Sequence, residues 1–318
     1  MEKVLVGVDI GGTTVKLGVF PWEGKCLDIS EIPTPHTGRQ EDLWDAVARG
    51  ICLRLQTLNI ASESLAAVGV AVPGPVDAEG YVPWLVNIGL GGCSPAKELE
   101  VRLSVPAVCA NDANAAALGE AIYGAGAGKL QAAMLTLGTG VGGGIIVDGK
   151  IIPGAHGCGA EVGHFVVNPD EELACNCGNH GCLEQYASAT GIVRTAKRLM
   201  AGTDLPSSLR NEDPKKLDAK IVMDAAKAGD AIGLKTLDTF GKYLGLGISY
   251  IIEATDPEII IIGGGVSKAG SILIDAVLPY MERFTHIVNT KPDIELATLG
   301  NDAGAAGCAA LAKQHIEK

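Results

Sequence analysis

The chain is short of aromatic and basic residues, and it holds no long apolar run. Only 4 Phe, 3 Trp and 6 Tyr occur among 318 residues, so the cores are expected to be built from aliphatic side chains and alanine. The longest apolar runs fall well below the ~20 residues that span a bilayer, which excludes a transmembrane helix and membrane partners. The opening Met1-Glu2-Lys3-Val4-Leu5-Val6 has no basic segment followed by a long apolar stretch. No signal peptide is therefore expected, and the protein is placed in the cytoplasm. Lys and Arg total 25 against 37 Asp and Glu, a formal net charge of −12. That argues against nucleic acid, whose contact needs clustered cations. It leaves a nucleotide possible, because backbone N–H groups and Mg²⁺ hold phosphates without a basic surface. The cysteine count is odd, at 9, which together with the missing export signal speaks against disulfides.

Apolar residues are plentiful, at 47%, and the length suits two domains of ordinary size. Glycine is also abundant: 43 residues, clustered as in site loops rather than spread as in linkers. Residues 3–9 and 15–20 read as strands joined by Ile10-Gly11-Gly12-Thr13-Thr14, a hairpin. Residues 27–32 read as a third strand. Residues 41–58 carry Leu43, Val47, Ile51, Leu55 and Leu58 at helical spacing. Strands follow at 65–72 and 105–110, then an alanine-rich helix at 113–121. Near Ala132 the plan restarts: a strand at 132–137, a glycine turn at 138–144, then strands at 145–147 and 150–152. The remaining pattern predicts helices at 187–200, 231–253, 271–284 and 303–316, strands at 258–262 and 294–299, and a polar surface excursion at 202–216. Both halves open with strand, glycine-threonine turn, strand. This is the mark of a duplicated two-domain α/β fold with a cleft between its halves.

Four segments carry candidate chemistry. Cys175, Cys177 and Cys182 are the only closely spaced cysteines, and His164 stands a short way before them. Three thiolates and an imidazole make a tetrahedral structural zinc set, His164, Cys175, Cys177 and Cys182. Gly178 and Gly181 allow the tight turns that bring the sulfurs together. Asp9, Gly11, Gly12, Thr13, Thr14 and Lys16 form a first phosphate loop. Its glycines admit close approach, its threonines donate, and Asp9 suits a water-mediated hold on Mg²⁺. Gly138, Thr139 and Gly140 form a second. Gly138-x-Gly140-x-x-Gly143 also fits a dinucleotide fingerprint, but a strand follows where that motif needs a helix. Gly263, Gly264 and Gly265, after a buried strand, offer bare backbone to an adenosine. Gly124-Ala-Gly-Ala-Gly128-Lys129 fails as a P-loop, having Tyr123 in place of the first glycine and Leu130 in place of Ser or Thr. Asn111-Asp112, where a strand meets a helix, suits either a helix cap or a base at a strand end.

The run Gly163-His164, Cys175-x-Cys177-Gly-x-x-Gly-Cys182-x-Glu184 and Ser188 resembles the signature of the ROK family of repressors and sugar kinases. The Asp9, Gly138 and Gly263 loops, in that order, resemble the phosphate-one, phosphate-two and adenosine motifs of the actin-like ATPase fold, a duplicated ribonuclease H-like plan. The resemblance covers nearly the whole chain. It implies a small domain, residues 1–115 with the closing helix 303–318, and a large one, residues 116–302, carrying the zinc loop and nucleotide elements. It implies an ATP-dependent hexose kinase, first of all one acting on the 6-hydroxyl of glucose, using ATP, Mg²⁺ and a structural Zn²⁺. Asp112 is then the general base, and Gly74, Asn87, Asn111, Glu161, His164 and Glu184 are the sugar ligands. His164 binds zinc through one ring nitrogen and faces the sugar with the other. A dimer or tetramer is implied as well. Where the family has an Asn-Leu-x-Trp segment this chain has Asn87-Ile88-Gly89-Leu90, so one pocket wall lacks its aromatic. N-acetylmannosamine, mannose or allose are the alternative sugars. A sugar-sensing repressor is the alternative class, disfavoured by the acidic balance and by a first strand that begins at Lys3, ahead of which a helix-turn-helix has no room. A zinc-ribbon module would leave the phosphate loops without a role.

Overall fold

The computed structural model describes residues 2–85 and 88–317, so Asn87, expected on the sugar side, lies outside the described residues. Strands β1 (Val4–Ile10) and β2 (Thr14–Pro21) form the expected hairpin, and β3 (Asp28–Pro33) pairs with β2. Helix α1 (Gln40–Thr57) leads to β4 (Leu65–Val72), which runs parallel to β1. A hairpin of β5 (Val82–Leu85) and β6 (Leu90–Cys93) is followed by α2 (Pro95–Leu103), β7 (Ala107–Asn111) and α3 (Asp112–Tyr123). The plan then repeats with β8 (Ala132–Leu137), β9 (Val141–Val147) and β10 (Lys150–Ile151). Helices α4 (Glu184–Ala187), α5 (Ala189–Gly202), α6 (Ala219–Lys227) and α7 (Ala231–Thr255) come next. Strand β11 (Ile259–Gly263), α8 (Ile272–Phe284), β12 (Asp293–Leu296) and α9 (Ala303–Ile316) close the chain.

The strand orders are β3-β2-β1-β4-β7 and β10-β9-β8-β11-β12. Each sheet is a hairpin extended on one side by an antiparallel strand and on the other by parallel ones, which is the duplication read from the two glycine-threonine turns. The chain forms two compact units: residues 1–130, 144–160 and 298–318, and residues 131–143 with 161–297. These bounds differ from a division at 115 and 303, and the packing of α3 on α9 explains why. A Cβ on Gly119 would lie 2.2 Å from the Ala303 carbonyl oxygen, and one on Gly307 1.7 Å from that of Ala115. The two helices touch backbone to backbone, so α3 stays with α9 in the first unit.

In the first unit the β1 side chains alternate. Val4, Val6, Val8 and Ile10 join Leu43, Trp44, Val47 and Ile51 of α1 in one aliphatic core. Leu5 joins Ala306, Ala309 and Ala312 of α9 in a second core. Gly7 lies on the α9 side too, where a Cβ would sit 1.8 Å from the Ala305 oxygen, so glycine lets the helix lie on the strand. Asp9 is the next residue on that face. The second unit buries Ile259, Ile260, Ile261 and Ile262 of β11, and Leu244, Ile248 and Ile252 of α7. Among the described residues no helix is long and apolar enough to cross a membrane.

Several local expectations change. The predicted helix at 187–200 is two helices broken at Ser188, whose Oγ accepts from the Gly191 N–H at 3.0 Å and caps α5. The second glycine turn is shorter, because Val141-Gly-Gly-Gly144 already belongs to β9. Hairpin β5–β6, α2 and α6 were not expected.

Candidate active site

In the first unit, Asn111 and Asp112 divide the work of one strand end. Asn111 is the cap: its Oδ1 accepts from the N–H groups of Ala113 at 2.9 Å and Asn114 at 3.2 Å. Its Nδ2 donates to the Gly74 carbonyl at 3.1 Å, tying the Pro73-Gly74-Pro75 loop to the start of α3. Asp112 is the first helical residue rather than the cap, and its Oδ1 accepts from Ala113 N at 2.8 Å. Burial raises its pKa above the ordinary carboxylate value, against the pull of that N–H and of Asn111. A carboxylate with raised proton affinity suits a general base.

Asp9, at the end of β1, stands close enough to Asp112 for the two to repel. Burial, then the Asp112 charge, lift its pKa to about 6, while Lys16 opposes the rise. A Cβ on Gly304, in the first turn of α9, would lie 2.5 Å from Asp9 Oδ2, so a larger residue there would press on the carboxylate. Two part-buried acids of like charge are a donor set that a divalent cation would relieve, so the residues fit an Mg²⁺ held near Asp9. The Gly11–Thr14 turn, the first phosphate candidate, is pinned. Gly11 N donates to Thr14 O at 2.9 Å, Thr34 N donates to Thr13 O at 2.9 Å, and Thr34 Oγ1 donates to Gly11 O at 2.8 Å. Lys16 is engaged elsewhere: its ammonium donates to Asn301 O at 2.8 Å and pairs with Asp302 at 3.1 Å.

In the second unit the other two glycine loops meet. A Cβ on Gly264, whose φ is +84°, would lie 2.5 Å from the Leu137 oxygen, so the Gly263-Gly264-Gly265 backbone passes directly over the end of β8. Gly138 N donates to Gly140 O at 2.9 Å, and Ala189 N donates to Gly138 O at 2.8 Å, which sets the second loop on the start of α5. Gly138, Thr139, Gly265 and Val266 line a cavity of about 500 Å³, mostly apolar. Its far wall is α6, through Ala219, Lys220 and Met223, with Asp224 and Lys227 beside them. Sequence reasoning missed this helix, although Asp218, which accepts from Ile221 N at 2.8 Å, is a readable N-cap.

The zinc set is gathered in the same unit. The ligand atoms of His164, Cys175, Cys177 and Cys182 all lie within 4.8 Å of one another. Cys177 Sγ and Cys182 Sγ are 3.7 Å apart, and Cys175 Sγ is 3.9 Å from His164 Nδ1. A tetrahedral zinc with Zn–S of ~2.3 Å places sulfurs about 3.8 Å apart, so the residues fit the ion. Gly178 and Gly181 both have positive φ, at +88° and +71°, as the turns require. Burial pushes the Cys175 and Cys182 thiols up, whereas the Asn179 N–H draws that of Cys177 down. Buried thiols kept protonated in this way would be deprotonated by a bound dication. His164 presents Nδ1 to the sulfurs and Nε2 to Glu161, at 4.0 Å from its carboxylate. Glu184 reaches Cys175 Sγ with Oε1 at 3.0 Å, and its Oε2 lies where a Cβ on Gly140 would come within 2.5 Å. Glu184 thus joins the cysteine loop to the Gly138-Thr139-Gly140 turn. One further residue escaped the sequence: Glu171, a buried acid within the metal loop.

The profile of the ROK family matches residues 5–315. A glucokinase of Halalkalibacterium halodurans is 39% identical over 316 residues, covering 98% of this chain and 96% of that protein. The solved ROK hexokinase of Thermus thermophilus superposes with a TM-score of 0.84 at 30% identity, covering 99% of both chains. A ROK family glucokinase of Streptomyces griseus, solved with glucose and AMPPNP, gives 0.74 at 36% identity, covering 98% of this chain and 99% of that one. With these neighbours the chain shares the two-domain actin-like ATPase fold. On the profile match and on these full-length likenesses, the chain belongs to the ROK family.

Proposed function

We propose that the chain is an ATP-dependent glucokinase that transfers the γ-phosphoryl group of ATP to the 6-hydroxyl of glucose. The observation that carries this is likeness along nearly the full chain to glucokinases, at 39% identity in one case, and to one solved with both glucose and an ATP analogue. The adenosine lies in the cavity between the third glycine loop and α6, with Gly138-Thr139-Gly140 as the phosphate-binding turn of the second unit and Gly11–Thr14 as that of the first. Asp112 takes the proton from the attacking hydroxyl as the phosphoryl group departs. The phosphoryl-transfer transition state is loose, so placing the hydroxyl matters more than the strength of the base. Asn111, Gly74, Glu161, His164 and Glu184 hold the sugar hydroxyls, and a carboxylate that accepts from two hydroxyls at once discriminates well among polyols. Asn87 completes that set in the proposal.

Mg²⁺ held near Asp9 would neutralise charge on the phosphates. Zinc on His164, Cys175, Cys177 and Cys182 would be structural, since four protein ligands leave no open coordination position. The same reading makes the protein a cytoplasmic dimer or tetramer, which light scattering of the purified chain would test. Activity is tested by ADP release across a panel of hexoses. Turnover confined to N-acetylmannosamine, mannose or allose would move the sugar and keep the mechanism.

A further inference from the structure

The metal loop contains a carboxylate that none of the roles above uses. Among the described residues, Glu120 and Glu171 are the two buried acids. Glu171 belongs to the segment that joins His164 to Cys175. Taking an ionised carboxylate out of water costs several kcal/mol unless its lone pairs are met. Here both oxygens are met twice. Oε1 accepts from Arg198 Nη2 at 2.6 Å and from Leu173 N at 3.0 Å. Oε2 accepts from Arg198 Nη1 at 2.7 Å and from the Tyr186 hydroxyl at 2.7 Å. The two-pronged guanidinium pair holds the Glu171 carboxyl well below the usual carboxylate range.

The partners come from three places. Leu173 is in the loop, Tyr186 is on α4 two residues past Glu184, and Arg198 is on α5. Further bonds spread from this point. Asn168 Nδ2 donates to the Tyr186 oxygen at 2.8 Å, and His180 Nδ1 lies 3.0 Å from the Glu171 carbonyl. Gln185 joins the two arms of the loop: its Oε1 accepts from Cys182 N at 3.0 Å and its Nε2 donates to Leu173 O at 2.9 Å. Cys175 and Cys182 therefore each stand within two residues of a backbone group tied into this network.

We propose that Glu171 is a positioning residue for the metal loop. Through Arg198 and Tyr186 it sets the loop against α4 and α5, so that the cysteines converge on one point and Glu184 is aimed. This role rests on the zinc reading given above. It assigns the loop an anchor of its own beside the metal, of the kind that groups behind metal ligands supply.

The test uses the full chain purified with zinc, and the variants Glu171→Gln, Arg198→Met and Arg198→Lys. Zinc release to a chromogenic chelator, kcat and KM for glucose, and the far-ultraviolet dichroism are measured on each. Glu171→Gln and Arg198→Met are expected to weaken zinc retention ~10–100-fold, the range seen when a group behind a metal ligand is lost. KM for glucose should rise while kcat at saturating glucose holds, because sugar placement is disturbed and the base is not. Arg198→Lys, which keeps the charge and loses the fork, should fall between. Folded variants that release zinc at the wild-type rate would overturn the proposal. If Glu171→Gln does not fold, the two Arg198 variants decide the matter in the same way, since that side chain is 46% exposed and tolerates change. A wild-type protein that carries no zinc yet turns over glucose would remove the metal reading, and this role with it. Zinc present in the wild type and unaffected in the variants would remove this role alone.

Discussion

Replacing Asp112 by Asn should stop turnover without loosening the fold, and replacing its neighbour Asn111 by Ala should do more to the fold. The contrast follows from the division of labour at the start of α3, where Asn111 makes the capping bonds and the bond to Gly74. Losing such a cap costs about 1–2 kcal/mol. Asp112 shares only the Ala113 N–H with that cap, and its raised pKa means that its ionised form is disfavoured in the folded chain. A carboxyl whose folded pKa is raised costs stability once the pH passes its ordinary value of 3.8, and costs nothing below it. Asp112→Asn should therefore hold or gain stability at pH 7–8, with the gain vanishing toward pH 4. As general base, Asp112 should be worth ~10²–10⁴ in kcat, or about 3–5 kcal/mol of barrier. Coupled ADP release gives the rate, and urea unfolding at several pH values gives the stability. Asp112→Asn with a kcat within a few-fold of wild type would refute the base assignment. A stability loss as large as that of Asn111→Ala would show Asp112 to be a structural group.

Cys177→Ser should release zinc and loosen the loop, raising KM for glucose; an unchanged zinc content in the purified variant would refute the ligand set. Asp9→Asn should stabilise the nucleotide-free protein at pH 8 by at most about 3 kcal/mol, from a pKa raised from 3.8 to about 6, and leave it unchanged at pH 4. Thermal melts at the two pH values check this, and equal shifts at both would count against a buried, repelled carboxylate. Gly264→Ala should cost about 2–4 kcal/mol, since alanine is strained at φ +84° and its Cβ would press on the Leu137 backbone. Urea unfolding and nucleotide titration of that variant should both weaken, and normal values in each would mean that the loops do not touch.

The fold was legible where one period ran unbroken. Alternation along β1 and the four consecutive isoleucines of β11 mark strands, and the two glycine-threonine turns reveal the duplication. Hairpin β5–β6 was hidden because Gly91 and Gly92 leave β6 with no alternation to read. Helix α6 was hidden by its polar approach, although Asp218 announces it. The His164, Cys175, Cys177 and Cys182 cluster was legible because cysteine spacing is itself the signal. Glu171 was not, since an acid beside Asp170 and Glu172 looks like a solvated run, and only the fold brings Arg198 to it from 27 residues away. Lys16 was legible only as a neighbour of the Gly11–Thr14 turn, and the fold alone supplies it with Asn301 and Asp302 from the far end of the chain.

ADP release from ATP and Mg²⁺, measured with glucose, mannose, N-acetylglucosamine, N-acetylmannosamine, fructose and allose in turn, tests the central claim most directly. Saturable turnover that strongly favours glucose is the predicted result. A zinc-loaded protein that binds glucose and releases no ADP with any of the six would contradict it, and would make the chain a sugar sensor built on a kinase body.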